Sequence, residues 1–281
     1  MRRLLLGGLG LLMAGCPSGE AEAPVEEQDQ AIVVSKLSFV RRDTKGLSYG
    51  FDLDGMASEQ GGGDGCGIAD VEHPETGAAN VDNAFSKLLP ALEQVGAGPL
   101  EDLIQASIDS GELLIVFEMP QPEELVGECV PLTLLRASGP PALGEDEILP
   151  GQTFDRNLDI DTSYIACAQF DGTRLTGEGF DLRLMLNVFD EFIDLTLLDA
   201  RVQVDLEAGV EGRGAGIIGG GLSIDELALN VAGLDGIGDQ IPQLIGPLLE
   251  VNADLNPDAQ GNCQRLSVQL QFETLPAFLF D

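Results

Sequence analysis

From Gly127 onward the chain is a succession of short segments that are β-branched or alternate apolar with polar residues, and turn-forming residues separate them. In "QRLSVQLQF", Leu266, Val268, Leu270 and Phe272 alternate with polar neighbours. A repeat of two places these four side chains on one face of a half-buried strand. "CVPLTLLRAS", "SYIACAQF", "GFDLRLMLNVF" and "EFIDLTLLDARVQVDLEAG" read the same way, with turns such as Asp171-Gly172 between them. The last two are expected to pair as long antiparallel partners around Asp190. "SGPPALGEDEILPGQTF" is read as a loop.

The first half adds more strands and some helices. "AIVVSKLSFVR" and "LSYGFDLDG" predict a hairpin about the Asp43–Gly46 turn, with Leu47, Tyr49, Phe51 and Leu53 on its apolar face. A long Gly- and Asp-rich loop then runs to about Asn80. Asp82 or Asn83 is placed to cap a helix towards Val95, which Pro90 would kink. Pro99 suits the first turn of a second helix that Gly111 ends, and "ELLIVFEM" is a buried strand. Ser223 and Glu226 have the spacing of a capping box. Ile241, Leu244, Ile245, Leu248 and Leu249 repeat at helical intervals. Strands that outnumber helices without alternating with them predict a mainly β, antiparallel, sandwich-like fold with a few short helices, with α+β as the alternative.

The chain opens "MRRLLLGGLGLLMAGC". Two arginines, an apolar run of about ten residues and a small-residue pair form a secretory signal peptide. The run is too short for a transmembrane helix, which needs about 20 residues. Met13-Ala14-Gly15-Cys16 resembles the lipobox of bacterial lipoproteins, with Met13 where Leu is usual. That resemblance implies cleavage before Cys16, fatty acylation (palmitate or similar) of this residue, and a membrane partnership through the lipid anchor. By the sorting rule of such lipoproteins, Pro17 in place of Asp points to the outer membrane rather than the inner one, with the domain in the periplasm or at the cell surface. Residues 1–15 are then the signal, residues 16–30 an acidic disordered tether, and residues 31–281 one folded β-rich domain. The chain also resembles secreted lipoproteins with Asp/Gly-rich loops, a likeness that implies no activity.

Charge narrows the partners. The formal net charge is −34, and the signal carries none of the acids. Such a surface repels nucleic acid, whose affinity comes largely from neutralised phosphates. It suits calcium, cationic partners or simple solubility. Aromatic residues are 5% of the chain and Trp is absent, which disfavours carbohydrate platforms and base-stacking surfaces.

Of the five cysteines, Cys66, Cys129, Cys167 and Cys263 lie beyond Cys16. An even number in an exported chain predicts two disulfides. Of three possible connectivities, Cys129–Cys167 with Cys66–Cys263 is the expected one. Without a C-x-x-C pair, and with His73 as the one imidazole, redox catalysis and a zinc ribbon are both poor fits.

Asp254, Asn256 and Asp258 have the alternating oxygen-ligand spacing of a calcium loop, although the turn glycine and the twelfth-position glutamate of an EF-hand are missing. Asp64, Asp70, Asn80, Asp82 and Asn83 form a second acidic group, which a Cys66–Cys263 bridge would bring close to the first. The competing reading is of solvated acidic turns. No organic cofactor is expected, and a structural calcium is the one ion the pattern suits.

"GRGAGIIGGGLSIDEL" holds a literal G-x-G-x-x-G at Gly214, Gly216 and Gly219. A dinucleotide loop needs a strand directly before the first glycine and a helix starting within the motif. Here the preceding strand is expected to end near Leu206 and the helix to begin near Ser223. The stretch is therefore read as a glycine turn, and no nucleotide is expected. The function that follows is a lipid-anchored, non-enzymatic envelope protein acting in binding, adhesion or structure. One alternative is a carrier of an apolar ligand, with helices over 82–110 and 241–250 closing over the sheet. A second is a secreted hydrolase using His73, for which no G-x-S-x-G elbow is present.

Overall fold

The computed structural model describes residues 30–62, 65–93, 100–119, 129–145, 147–188, 191–207, 212–233 and 240–280. The signal, residues 16–29 of the tether (Cys16 among them), Asp64 and Asp190 lie outside these, and Gln30, expected in the tether, opens the first strand. Among the described residues, twelve strands run in chain order: β1 Gln30–Phe39, β2 Val71–Glu72, β3 Ala79–Val81, β4 Leu114–Met119, β5 Val130–Ser138, β6 Gln152–Arg156, β7 Ser163–Phe170, β8 Arg174–Val188, β9 Glu191–Leu206, β10 Gly214–Ser223, β11 Leu255–Pro257 and β12 Cys263–Phe280. Four helices accompany them: α1 Phe85–Leu92, α2 Leu100–Asp109, α3 Ile224–Gly233 and α4 Gln240–Glu250. The fold is mainly antiparallel β with few short helices, as the alternating segments predict.

The large sheet curls until its two ends pair. Following antiparallel partners leads from β12 to β1, β4, β5, β7, β8, β9 and β10 and back to β12. A sheet closed on itself leaves fewer open edges for wrong pairing. β6 joins the end of β5 to the end of β12, where it runs parallel over Ala277↔Gln152 to Phe280↔Asp155. Phe272 of β12 and Phe117 of β4 stack inside, with centroids 5.4 Å apart. α2 touches both β1 and β8, which stand opposite each other in the circuit. Ile104 and Ile108 of α2, Leu88 and Leu89 of α1, and Ile245 and Leu249 of α4 belong to the same buried cluster as the strands.

Several expectations are corrected. Residues 47–54 are not a strand, and β1 pairs with β12 and β4 instead of with them. This segment turns its backbone to other loops: Ser48 N–H donates to Glu72 O, and Asp82 N–H to Phe51 O. The loop read over 138–154 ends in a strand, β6. The α1 helix has no side-chain cap, because its N-cap is Ala84. Asn83 instead donates to Val40 O and Ser48 Oγ, 3.0 and 2.9 Å away. The Ser223 cap is present, with Glu226 N–H donating to Ser223 Oγ at 3.3 Å.

The largest correction concerns the glycine motif. Gly214–Ser223 is not a turn but β10, hydrogen-bonded on both edges to β9 and β12. Glycine here serves close approach. A Cβ on Gly216 would lie 2.3 Å from Gln203 O and 2.4 Å from Phe272 Cζ, and one on Gly219 would lie 2.0 Å from Gln269 Oε1. Large side chains of the neighbouring strands fill the space that the glycines leave.

Candidate metal centre

Between β1 and α2 the chain leaves the sheet and folds as a lobe over the outer face of β12. Alternation on that strand sends Leu266, Val268, Leu270 and Phe272 inward and Ser267 and Gln269 outward. Both outward residues are nevertheless fully buried. The lobe covers them with polar contacts: Ala84 N–H donates to Ser267 Oγ at 2.7 Å, and Gln269 Nε2 donates to Asp82 O at 2.8 Å. The Cys66–Cys263 disulfide ties the lobe to the start of β12, and Cys129–Cys167 joins β7 to the residue before β5. This is the expected pairing.

The lobe gathers carboxylates. One oxygen from each of Asp52, Asp54 and Asp82 lies within 4.8 Å of the others, close enough to share one cation. Backbone N–H groups of residues 53–56 hold all three. Gly55 N–H donates to Asp52 Oδ1 at 2.6 Å, Asn80 Nδ2 to Asp52 Oδ2 at 3.0 Å, and Met56 N–H to Asp54 Oδ1 at 2.9 Å. Leu53 N–H donates to Asp82 Oδ2 at 2.6 Å. Asp82 is 2% exposed. Burial pushes its carboxyl up to about 8 against the pull of the Leu53 N–H, and Asp54, Asp254 and Asp70 push the same way as burial.

Asp70 extends the group. Its carboxyl is raised chiefly by burial, lies near enough to Asp82 for each to act on the other, and accepts Ser58 N–H at 2.7 Å. Neighbouring carboxylates repel unless one of them holds a proton, and a divalent cation can take the place of that proton. The Ser58 hydroxyl is buried beside this loop without a hydrogen-bond partner among the described residues. An all-oxygen, carboxylate-rich set of this kind suits a hard cation such as calcium.

The trio singled out from spacing has other employment. Asp254 is buried and accepts Ser267 N–H at 2.8 Å and the Ser267 hydroxyl at 2.5 Å. Its carboxyl is pushed up to about 6 by burial, which the Ser267 bonds and Lys87 oppose. Asp258 closes its own turn, where Oδ1 accepts the N–H groups of Gln260 and Asn262 at 2.8 Å. Asn256 is exposed on left-handed backbone, at φ 57°. Cys66 is bonded to Cys263 and its Sγ lies 3.7 Å from Gly261 O, so the two acidic loops do meet. Of the second acidic group, Asp82 and Asp70 are brought together, and Asn80 steadies Asp52. Asp52 and Asp54 escape the spacing argument because alternation over 47–54 puts them opposite the apolar face of an expected strand. The signal was Asp52-x-Asp54-Gly55, the same alternation of oxygen ligands applied at 254–258.

His73 sits in the turn between β2 and β3. Its Nδ1 accepts Glu75 N–H at 3.2 Å and Thr76 N–H at 3.3 Å, and its ring meets Tyr49 edge-on. In a Ser-His-Asp arrangement Nδ1–H donates to the Asp, whereas here Nδ1 accepts two backbone N–H groups of its own turn. Comparison with protein-family models, curated proteins and solved structures finds no match.

Proposed function

We propose that this chain is a lipid-anchored, non-enzymatic protein of the cell envelope, with a surface lobe braced by a calcium ion at Asp52, Asp54 and Asp82. The carrying observation is the convergence of these three carboxylate oxygens from two loops, one of them on a buried aspartate. The Met13–Cys16 lipobox likeness supports the anchor, and the disulfides suit an oxidising compartment. A binding or structural role is the reading supported by the missing G-x-S-x-G elbow and by the placement of His73 Nδ1 in its own turn. The helices of the carrier reading pack directly onto the strands in one cluster.

Melting in calcium against EGTA tests the ion. Calcium at 100 times its dissociation constant stabilises the folded state by about 2.7 kcal/mol. That raises the melting temperature by roughly 5–10 °C for a chain of this size. Asp54→Asn, at a half-buried position that tolerates the isosteric change, should remove most of the rise. A melting temperature indifferent to calcium in the wild-type chain refutes the ion. Intact mass of protein taken from its own membranes tests the anchor, through a chain beginning at an acylated Cys16.

A further inference from the structure

The described chain begins at one end of the closed sheet, and that end exposes large apolar side chains. Ala31 pairs with Ala277, so the chain enters the fold beside Phe278. Beyond Thr274 the burial alternation of β12 changes parity: Leu275 and Ala277 are buried, and Phe278 and Phe280 are 47% and 64% exposed. β6 runs alongside, with Thr153 opposite Phe278 and Asp155 opposite Phe280. The 142–151 loop is pinned to the same end by Gly151 N–H donating to Pro276 O at 2.7 Å and by the Gln152 side chain, which bonds Ala142 and Leu149. It adds Leu143 at 48% and Leu149 at 46% exposure. Four large exposed apolar side chains thus lie on the end of β12 and on the loop bonded to it, the end of the sheet at which the chain from Cys16 joins the domain.

We infer that this end rests on the bilayer that holds Cys16, with Phe278, Phe280, Leu143 and Leu149 entering the headgroup region of a zwitterionic lipid surface. The inference depends on the lipoprotein reading for its anchor. Gln30 lies fourteen residues after Cys16. Whatever its conformation, that stretch spans at most about 50 Å. An anchored Cys16 therefore holds the Phe278 end at high effective concentration beside lipid, and weak apolar contacts suffice to dock it. Phe side chains favour this interfacial position. Charge selects the lipid. Lys36 is taken up by Glu147 and Glu273, and Asp155 is exposed next to Phe280. An anionic bilayer would repel such a rim and a neutral one would not.

The absence of Trp supplies the test. Phe280→Trp introduces one fluorophore at this end. Leu229→Trp, on α3 beyond the Ser223↔Arg265 end of the sheet and 74% exposed, introduces one far from it. Each variant, beginning at Cys16 with its disulfides formed, is anchored on phosphatidylcholine vesicles. Cys16 carries the native lipid or, where intact mass shows none, a maleimide phospholipid coupled to this thiol. The emission of the Phe280→Trp variant should shift to the blue and be quenched by lipids brominated near the headgroup. That of the Leu229→Trp variant should stay solvent-like and unquenched. Without the anchor, a Phe278→Ser, Phe280→Ser double variant should bind the same vesicles roughly tenfold more weakly than the wild-type sequence. Solvent-like emission from the anchored Phe280→Trp variant, or equal quenching in both variants, overturns the docked end. A missing lipid mass on Cys16 refutes the lipoprotein reading alone, because the coupled anchor still reports on that end.

Discussion

Replacing Gly219 with Ala tests directly whether the glycine motif serves packing or a phosphate. The new Cβ would lie 2.0 Å from Gln269 Oε1 and 2.5 Å from its Cδ, so the glutamine must move. Gln269 is fully buried, and its Nε2 holds Asp82 O at 2.8 Å and Phe51 O at 3.4 Å. Forcing one extra carbon into a packed interior costs about 1–3 kcal/mol. Leaving the lobe's buried carbonyls without their donor costs about 1–3 kcal/mol more. Urea unfolding followed by circular dichroism should therefore show a loss of about 3 kcal/mol or more. Gly216→Ala should cost at least as much, since its Cβ meets the Gln203 carbonyl at 2.3 Å, and backbone yields less than a side chain. Gly233→Ala, at the end of α3 with nothing within 4 Å, is the control and should be neutral or slightly stabilising. Because Gln269 holds the carbonyl of Asp82, Gly219→Ala should also blunt the calcium response. A wild-type midpoint for Gly219→Ala, or stabilisation of the wild-type chain by a dinucleotide, would refute the reasoning.

Three further outcomes are expected. Replacing Cys66 and Cys263 with Ser should destabilise by up to about 5 kcal/mol, against about 4 kcal/mol for the Cys129–Cys167 pair, because the first closes 197 residues of separation and the second 38; equal urea midpoints would contradict that order. Ser267→Ala should cost about 2–3 kcal/mol in the same assay, since it strips a buried donor from Asp254 and a buried acceptor from Ala84 N–H. The pH dependence follows from Asp254, whose folded carboxyl stands at about 6 against an ordinary 3.8. The folded state holds that proton more tightly, so stability is full below pH 3.8 and falls as pH rises to about 6, by about 3 kcal/mol. Asp254→Asn should remove that share of the slope in thermal melts between about pH 4 and 6, leaving the share that Asp82 carries on to about pH 8, and an unchanged slope would discard the assignment.

What was legible in the sequence was whatever a strand or helix states locally. Leu266 to Phe272 alternate because one face of β12 meets the core. Ser223 and Glu226 mark a helix start because the free N–H groups there need an acceptor. The cysteines paired as expected. What was hidden depended on distant partners. Leu47 to Asp54 alternate as cleanly as any strand, yet their backbone bonds to residues 72 and 82 rather than to a ladder. The glycines of β10 have no side chains to show a period. Their strand is written in Gln203, Gln269 and Phe272, which fill the space beside them. The acidic trio at 254–258 has the right spacing, but burial turned Asp254 towards Ser267. The carboxylates that converge come from two loops that only the fold brings together.

Diffraction from crystals grown in millimolar calcium, recorded at a wavelength that exposes the ion's anomalous signal, tests the central claim most directly. The account predicts one peak bounded by Asp52, Asp54 and Asp82, with oxygens at about 2.3–2.6 Å. A triad without a peak in saturating calcium, or a peak bound instead at Asp258, would contradict it.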